Sequence, residues 1–369
     1  MKADLMQIKD ITNFLENWAP PSLQESYDNS GLIIGDSTET ASGAVITLDV
    51  TEAVIDEAIA TKSNLIIAHH PLIFSGVKRI GTTYWIDKCI RKAIKNDINI
   101  YAIHTNLDNV RTGVNARIAD RIGLRDQRIL KPKSSTLQKL TVFVPTVNRE
   151  KLLTALFEAG AGEVGNYDHC SFQISGEGTF RPNDQANPVI GSRGVDEVAQ
   201  ETRIEVIIPT YKKASILSAM RQHHPYEEVA YYLSDLSNQN QGIGSGMIGN
   251  LDPGMTSGDF LGHLKSSMDL KVLKHTKLVN DKINRVALCG GSGRFLLETA
   301  IAAGADIFIS ADFKYHDFFE ANDEIIITDI GHYESEVFTK ELIYERLTKN
   351  FAKFAFRLSE VDTNPVKFL

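Results

Sequence analysis

The chain has 369 residues, 43% of them hydrophobic, which is enough for a well-buried core divided into two or three domains. Its formal net charge is −8 and no segment concentrates Lys and Arg, so nucleic-acid binding is not indicated. No run of roughly 18 apolar residues predicts a membrane span. The charged N-terminal segment is unlike a signal peptide, and three separated cysteines argue against a disulfide framework. We therefore expect a soluble, reduced, cytoplasmic protein.

Strand-like and helix-like segments alternate through residues 1–125. Apolar runs such as "GAVITLDV" and "SNLIIAHH" predict strands, whereas "TEAVIDEAIATK" and "YWIDKCIRKAIKND" have helical spacing. Residues 251–369 continue in the same way, from the strand-like "NRVALCGG" to the helical "VFTKELIYERLTK". This alternation predicts an α/β fold with a largely parallel sheet.

The middle of the chain has a different layout, which occurs twice. An apolar strand leads to a Pro-Thr pair, at Pro145 and again at Pro209, and an amphipathic helix and another strand follow. Two such halves predict a ferredoxin-like α+β unit. We therefore predict one α/β domain formed by residues 1–131 and 251–369, interrupted by a domain inserted at 132–250.

Four apolar runs of the outer segments end in side chains that can bind metals. They are "NLIIAHHP", "INIYAIHTNLD", "DIFISADFKYHDF" and "EIIITDIGHYESE", two from each half of the chain. Ligands of open parallel sheets bind beyond the carboxyl ends of the strands, so we expect these side chains to form one site.

The adjacent histidines His69 and His70 end the first of these runs. Successive residues of a regular strand point to opposite faces, but Pro71 ends the strand, and a turning backbone could present both rings to one side. Alternatively, one ring lies in the core and the other on the surface. In the second run, Asp108 could bridge two cations beside His104, or it could cap the following helix.

His332 and Glu336 stand four apart at the start of a predicted helix, where both side chains could chelate one ion. The alternative is an ordinary first-turn acid beside a solvated histidine. Asp312 and His316 have the same spacing and could act at the rim of the site or lie on a plain surface helix.

Two further motifs allow a ligand or a purely structural role. In "CGGSGRF", the backbone amides of Gly290, Gly291 and Gly293 could bind an anion, although a tight strand-to-helix turn explains the glycines equally well. In "HHPYEEVAYY", a turn with packing of Tyr226 is favoured over a second metal centre.

Three histidines and two carboxylates without a thiolate suit Zn, Mn, Fe or Co rather than a structural zinc site. These ligands exceed the needs of one tetrahedral ion and fit two divalent ions about 3.5–4 Å apart. Zinc is the favoured metal, with Mn, Fe or Co as alternatives. Hydrolysis is the reaction class that such a pair of ions supports.

The strings "ESYDNSGLIIGD", "IIAHHPLIF", "IYAIHTNLDN", "ISADFKYHDF" and "DIGHYESE" resemble the Ngg-one-interacting-factor-three-like family, whose members are also called GTP cyclohydrolase 1 type 2 homologues. The family's metal-binding pattern falls on five residues, which are His69, His70, Asp108, His332 and Glu336. The resemblance further implies two metal ions per subunit, a toroidal homohexamer and a PII/CutA-like inserted domain.

Two functions are compatible with these features. The first is a two-metal hydrolase, in which His104 or His316 could transfer protons and the loop at Gly290–Gly293 could hold phosphate. No residue reads guanine unmistakably, so GTP is one candidate among several substrates. The second is a metal-dependent regulatory assembly without turnover, whose inserted domain senses a small-molecule or nucleotide ligand.

Overall fold

The computed structural model describes residues 6–369. These residues form two compact units, of which the smaller is Pro132–Gln241 and the larger comprises the segments on either side of it. The structure thus places the second boundary after Gln241 rather than after residue 250. The reason is that residues 242–250 belong to a long strand, Asn240–Thr256, which pairs with a strand of the larger unit.

The strands and helices are numbered here in chain order. The strands are β1 (Gly31–Ile34), β2 (Ala44–Thr47), β3 (Leu65–Ala68), β4 (Asn99–Ala102), β5 (Arg125–Lys133), β6 (Leu137–Pro145), β7 (Phe172–Phe180), β8 (Glu197–Pro209), β9 (Tyr231–Leu236), β10 (Asn240–Thr256), β11 (Lys274–His275), β12 (Lys282–Ser292), β13 (Ile307–Ala311), β14 (Ile326–Asp329) and β15 (Phe356–Leu358). The α-helices are α1 (Ile8–Trp18), α2 (Glu52–Ala60), α3 (Trp85–Lys95), α4 (Thr105–Asp108), α5 (Val114–Arg121), α6 (Arg149–Glu158), α7 (Lys213–His223), α8 (Ser257–Ser267), α9 (Leu297–Ala302), α10 (His332–Glu336) and α11 (Thr339–Asn350).

The first sheet of the larger unit has the order β1-β4-β3-β2-β15. Strands β4, β3, β2 and β15 run parallel, and β1 is antiparallel at one edge. Every residue of β2, β3 and β4 is buried, as expected for parallel strands covered on both faces. Helices α2 and α3 pack on this sheet through apolar side chains such as Ile55 and Ile90.

The second sheet has the order β11-β14-β13-β12-β10-β5. Strands β12, β13 and β14 are parallel, whereas β10 pairs antiparallel with β12 and β11 pairs antiparallel with β14. The α/β class predicted from the sequence is confirmed, but the strands form two sheets where one was expected. Alternating strands and helices reveal the elements and not their pairing partners, and β15 joins β2 from the opposite end of the chain.

The smaller unit has the element order β6-α6-β7-β8-α7-β9. Its sheet has the order β7-β8-β6-β9, and all neighbouring strands are antiparallel. This is the ferredoxin-like arrangement expected from the repeated layout. A closer likeness to PII or CutA proteins stays a prediction.

Within residues 6–369, no helix has both the length and the apolar character needed to cross a bilayer. The cytoplasmic location stays a prediction.

Candidate metal centre

Strands of both sheets deliver the five predicted metal ligands to one cluster. His69 and His70 directly follow β3, Asp108 is the last residue of α4 after β4, and α10 carries His332 and Glu336 after β14. The ligand atoms of His70, His332 and Glu336 lie within 4.8 Å of one another, and so do those of His69, Asp108 and Glu336. The structure thus brings together residues from both ends of the chain, with Glu336 common to these two groups. A third group with the same spacing, His69, His70 and His104, does not include Glu336.

His69 faces the cluster with an unpartnered ring nitrogen. Its Nδ1 lies 2.8 Å from the carbonyl oxygen of Ile103, which can only accept, so Nδ1 carries the proton and Nε2 has a free lone pair. This Nε2 lies 3.7 Å from Asp108 Oδ1 and 4.0 Å from Glu336 Oε1. Burial lowers the pKa of His69 to about 3, so the ring is neutral at pH 7.

The gap between His69 and Asp108 fits a cation. His69 Nε2 and Asp108 Oδ1 are both buried without a hydrogen-bond partner, although buried polar groups are nearly always paired. Their separation is too long for a direct hydrogen bond. Burial, reinforced by the charge of Glu336, raises the pKa of Asp108, and a bound cation would compensate both effects.

The other side of Glu336 contacts two further imidazoles. Glu336 Oε2 lies 2.9 Å from His70 Nε2 and 3.0 Å from His332 Nε2. Burial disfavours protonation of both rings, but hydrogen bonds to carboxylates outweigh it and raise the pKa of His70 to about 9 and that of His332 to about 11. Burial alone would raise the pKa of Glu336, yet its hydrogen bonds to His332 and His70 lower it.

In three histidines, Nδ1 lies within hydrogen-bond distance of a carboxylate. Asp49 Oδ1 lies 2.7 Å from His70 Nδ1, and Asp312 Oδ2 lies 2.7 Å from His332 Nδ1. Asp28 Oδ1 lies at the same distance, 2.7 Å, from His104 Nδ1. A carboxylate on Nδ1 directs Nε2 toward a metal, as in many protein metal sites.

Asp28 and Asp49 are not predicted as site residues from the sequence. Asp49 follows β2 directly, so the rule that located the other residues, polar side chains at the carboxyl end of a strand, could have found it. Asp28 lies in an irregular segment before β1, where no periodicity points to it. Asp312, a candidate for the rim of the site, pairs with His332 in the structure.

A cleft of about 410 Å³ opens above the cluster and is lined by His70, His104, Asp108, His332 and Glu336. Tyr27, Phe74 and Phe295 add aromatic side chains to its wall. A polar floor within a partly apolar wall is typical of small-molecule sites.

Comparisons with known proteins agree with this fold. Residues 6–365 match the family model described as Duf34/NIF3 (NGG1p interacting factor 3). The chain belongs to this family. The resemblance inferred from the sequence motifs is therefore confirmed.

Relatives of this chain carry the name GTP cyclohydrolase 1 type 2 homolog, and two of them are described here. The protein from Halalkalibacterium halodurans is 38% identical over 365 residues, which cover 97% of this chain and 98% of the relative. That from Bacillus subtilis is 36% identical over 370 residues, which cover 98% of each protein. The crystal structure of a Bacillus cereus protein related to NIF3 covers 100% of both chains at 37% identity, with a TM-score of 0.88.

The two candidates for proton transfer in this NIF3-family protein, His104 and His316, lie in different places: His104 is beside the cluster and His316 is not. The ring of His104 lies 5.3 Å from those of His69 and His70, centroid to centroid, so its role at the cluster stays a prediction. His316 is exposed on a 3₁₀ helix, Tyr315–Ala321, and stands outside the cluster and cleft formed by the described residues. The structure therefore does not support His316 as a proton shuttle.

The glycine loop agrees with the strand-to-helix turn rather than with anion binding, the two alternatives that the sequence allowed. The amide of Gly290 donates to Asn115 Oδ1 and that of Gly291 donates to Ser335 Oγ, both at 2.9 Å, so neither is free to bind an anion. Gly293 alone does not provide the row of amides that a phosphate cradle needs. The glycines leave room for Glu336, because a Cβ on Gly291 would lie 2.4 Å from Glu336 Oε1.

Asp49→Asn is expected to weaken metal binding roughly 10–100-fold, because the amide lacks the charge that orients His70 and makes its Nε2 more basic. Competition with a chromophoric chelator measures this affinity. Asp56→Asn is the matched control, since the Asp56 side chain is 61% exposed and pairs with Lys92. Equal metal affinity in the two variants would contradict the role of Asp49.

Metal binding is expected to weaken as the pH falls through about 11 and then through about 9, where His332 and His70 take up protons. In the metal-free protein the pKa values of His70 and His332 are raised to about 9 and about 11, so both rings carry a proton at pH 7. A metal ion must displace these protons, and calorimetry in buffers of different ionisation enthalpy should detect the release of about two protons. Heats that are identical in all buffers would contradict this prediction.

Proposed function

We propose that this protein is a hydrolase that uses two divalent metal ions, both of which Glu336 would help to hold. The supporting observation is that the two carboxylate oxygens face different donors. Oε1 lies 4.0 Å from His69 Nε2, whereas Oε2 is within 3.0 Å of both His70 and His332. A shared carboxylate between two sets of ligands suits a dinuclear site.

In this proposal one ion is held by His70, His332 and Glu336, and the other by His69, Asp108 and Glu336. Nitrogen and oxygen donors without thiolate favour zinc, with Mn, Fe or Co as alternatives. Two such ions supply a water of lowered pKa and polarise the bond under attack.

The chain's own residues prepare the site for this chemistry. Asp49 and Asp312 fix the orientation of two ligand rings, which limits the rearrangement needed during reaction. His104, oriented by Asp28, can carry a proton to a leaving group at the cleft wall. The partly apolar wall excludes part of the surrounding water from the reacting bond.

The names of the relatives make GTP one candidate substrate. The protein loaded with Zn or Mn is incubated with GTP and with other cyclic substrates, and mass spectrometry detects the ring-opened product. Turnover that requires both the metal and Glu336 supports the hydrolase, and Glu341→Gln, a change at a partly exposed residue of α11, serves as the control. Two bound ions without turnover of any substrate in a broad panel would contradict it.

A regulatory assembly without turnover is the second candidate. The observation in its favour is a separate cleft of about 290 Å³ in the smaller unit, lined by Phe180, Glu201 and Tyr226 among others. A metal centre alone has no evident need for such a unit. This function predicts a ligand response of the metal-loaded protein that is lost when residues 132–241 are replaced by a short linker.

The ring-shaped homohexamer implied by the family resemblance belongs to the same proposal. Light scattering of the purified protein should then give the mass of six chains of 40.9 kDa each. A monomeric mass would contradict it.

A further inference from the structure

The segment that follows β15, residues 359–368, runs past the metal cluster and is called the C-terminal segment here. It begins at Ser359, whose amide donates to the carbonyl oxygen of Ile46 in β2 at 2.8 Å. Glu57 of α2 accepts hydrogen bonds from the hydroxyl of Ser359 and from the amide of Glu360, the latter at 2.8 Å. These contacts fix the start of the C-terminal segment beside the first sheet.

Thr363 of the C-terminal segment contacts a carboxylate that orients a candidate metal ligand. Its hydroxyl donates to Asp49 Oδ2 at 2.7 Å, because a carboxylate oxygen can only accept. The other oxygen, Asp49 Oδ1, lies 2.7 Å from His70 Nδ1. His70 Nε2 in turn lies 2.9 Å from Glu336 Oε2. Thr363 is thus the outer end of a chain of hydrogen bonds that reaches the cluster.

The hydroxyl of Thr363 restricts the orientation of Asp49. The Asp49 side chain is 32% exposed, so without a second partner its carboxylate is free to rotate toward water. One oxygen is bonded to His70 and the other to Thr363, which fixes the plane of the carboxylate. Hydrogen bonds to an ionised carboxylate are shorter and stronger than those between neutral groups. Thr363 therefore limits the motion of Asp49 and, through it, of the His70 ring.

The next residue of the C-terminal segment contacts the helix that carries the other ligands of the same group. Asn364 Nδ2 donates to Glu334 Oε1 at 2.9 Å. Glu334 belongs to α10, between His332 and Glu336. Two neighbouring residues of the segment therefore hold both sides of this ligand group, the side that follows β2 and the side that follows β14.

A second cleft, of about 620 Å³, lies on this side of the cluster. Among the residues that line it are His70 and His332, the carboxylates on their Nδ1 atoms, Asp49 and Asp312, and Asn364. Within the described part of the chain, neither Asp49 nor Asp312 lines the cleft of about 410 Å³. Water in the second cleft can compete for the outer carboxylates, so a fixed protein donor such as Thr363 matters there.

Resting on the function proposed above, we infer that Thr363 is a positioning residue of the metal centre. Its hydroxyl holds Asp49, which orients the ring of His70 for the ion assigned to His70 and His332. The ring of His69 is oriented by a backbone carbonyl instead. The effect of Thr363 is therefore expected at one of the two metal positions.

Two substitutions at Thr363 separate the hydroxyl from the shape of the side chain. Thr363→Val removes the hydroxyl and keeps the shape, whereas Thr363→Ser keeps the hydroxyl. Competition between the full chain and a chromophoric chelator for zinc resolves the two binding steps. Thr363→Val is expected to weaken one step about tenfold, at the lower end of the effect of losing an outer partner of a metal ligand, and to leave the other step unchanged. Thr363→Ser should bind both ions as the unchanged chain does.

Thr154→Val is the matched control. Thr154 is exposed on α6, and its hydroxyl donates to the carbonyl oxygen of Glu150 at 3.0 Å, so this variant should bind both ions normally. Cobalt loading adds a spectroscopic readout, because the visible absorption of bound Co²⁺ depends on the geometry of its ligands. Thr363→Val should change this absorption, and the other two variants should not. Circular dichroism verifies that all three variants are folded.

Three results would overturn the role of Thr363. They are unchanged zinc affinity and cobalt absorption in Thr363→Val, equal weakening of both binding steps in that variant, and a loss in Thr363→Ser as large as that in Thr363→Val. Two bound ions without turnover of any substrate would instead remove the hydrolase and leave the role of Thr363 in metal binding in place. Failure of the unchanged chain to bind two ions would overturn both proposals.

Discussion

Glu336→Gln is expected to reduce the metal content from two ions per chain to less than one and to abolish hydrolysis. Glu336 belongs to two of the three groups of candidate ligands, the two assigned here to the ions, so neutralising this one side chain weakens both positions together. A carboxamide also binds Zn or Mn more weakly than a carboxylate does. Elemental analysis after dialysis measures the metal content.

His332→Ala separates the bridging role of Glu336 from general damage to the site. His332 belongs to one group of ligands and Glu336 to both, so this variant should keep one ion. Circular dichroism verifies that both variants are folded. Retention of two ions by Glu336→Gln would show that the carboxylate does not bridge.

Gly291→Ala is expected to displace Glu336 and so to lose both ions, although position 291 offers no ligand. The backbone of Gly291 has φ = +60°, and an added Cβ would lie 2.4 Å from Glu336 Oε1. The left-handed backbone costs about 1–3 kcal/mol of folding free energy for a residue with a side chain. Thermal unfolding and elemental analysis measure the two effects separately.

Gly165→Ala is a matched control for the backbone cost. Gly165 has φ = +61°, and a Cβ there would meet nothing within 4 Å. This variant should lose a similar amount of stability and keep its metal. Normal metal content in Gly291→Ala would mean that the glycine loop does not shape the position of Glu336.

The grouping of the candidate metal ligands could be predicted in large part because its signals are local. An apolar strand that ends in polar side chains marks His69 and His70, and Pro71 explains how two neighbours leave the strand on the same side. The spacing of four between His332 and Glu336 is a property of one helix, α10. Such patterns involve residues that are close together in the sequence, so they can be recognised without the structure.

The wrong or missing predictions depend on contacts between distant residues or on unexpected local geometry. The pairing of Asp312 with His316 assumed an α-helix, but Asp312 has a left-handed backbone at φ = +60° and a 3₁₀ helix begins only at Tyr315. The amide of Gly290 is occupied by Asn115, which lies far away in the sequence. The division into two sheets likewise follows from long-range pairings such as that of β15 with β2.

Anomalous diffraction from crystals of the zinc-loaded protein, measured at the zinc absorption edge, tests the central claim most directly. We expect two peaks about 3.5–4 Å apart. One should lie beside His70 and His332 and the other beside His69 and Asp108, with Glu336 between them. A single peak in the cluster, or zinc bound elsewhere with the cluster unchanged, would contradict the two-metal account.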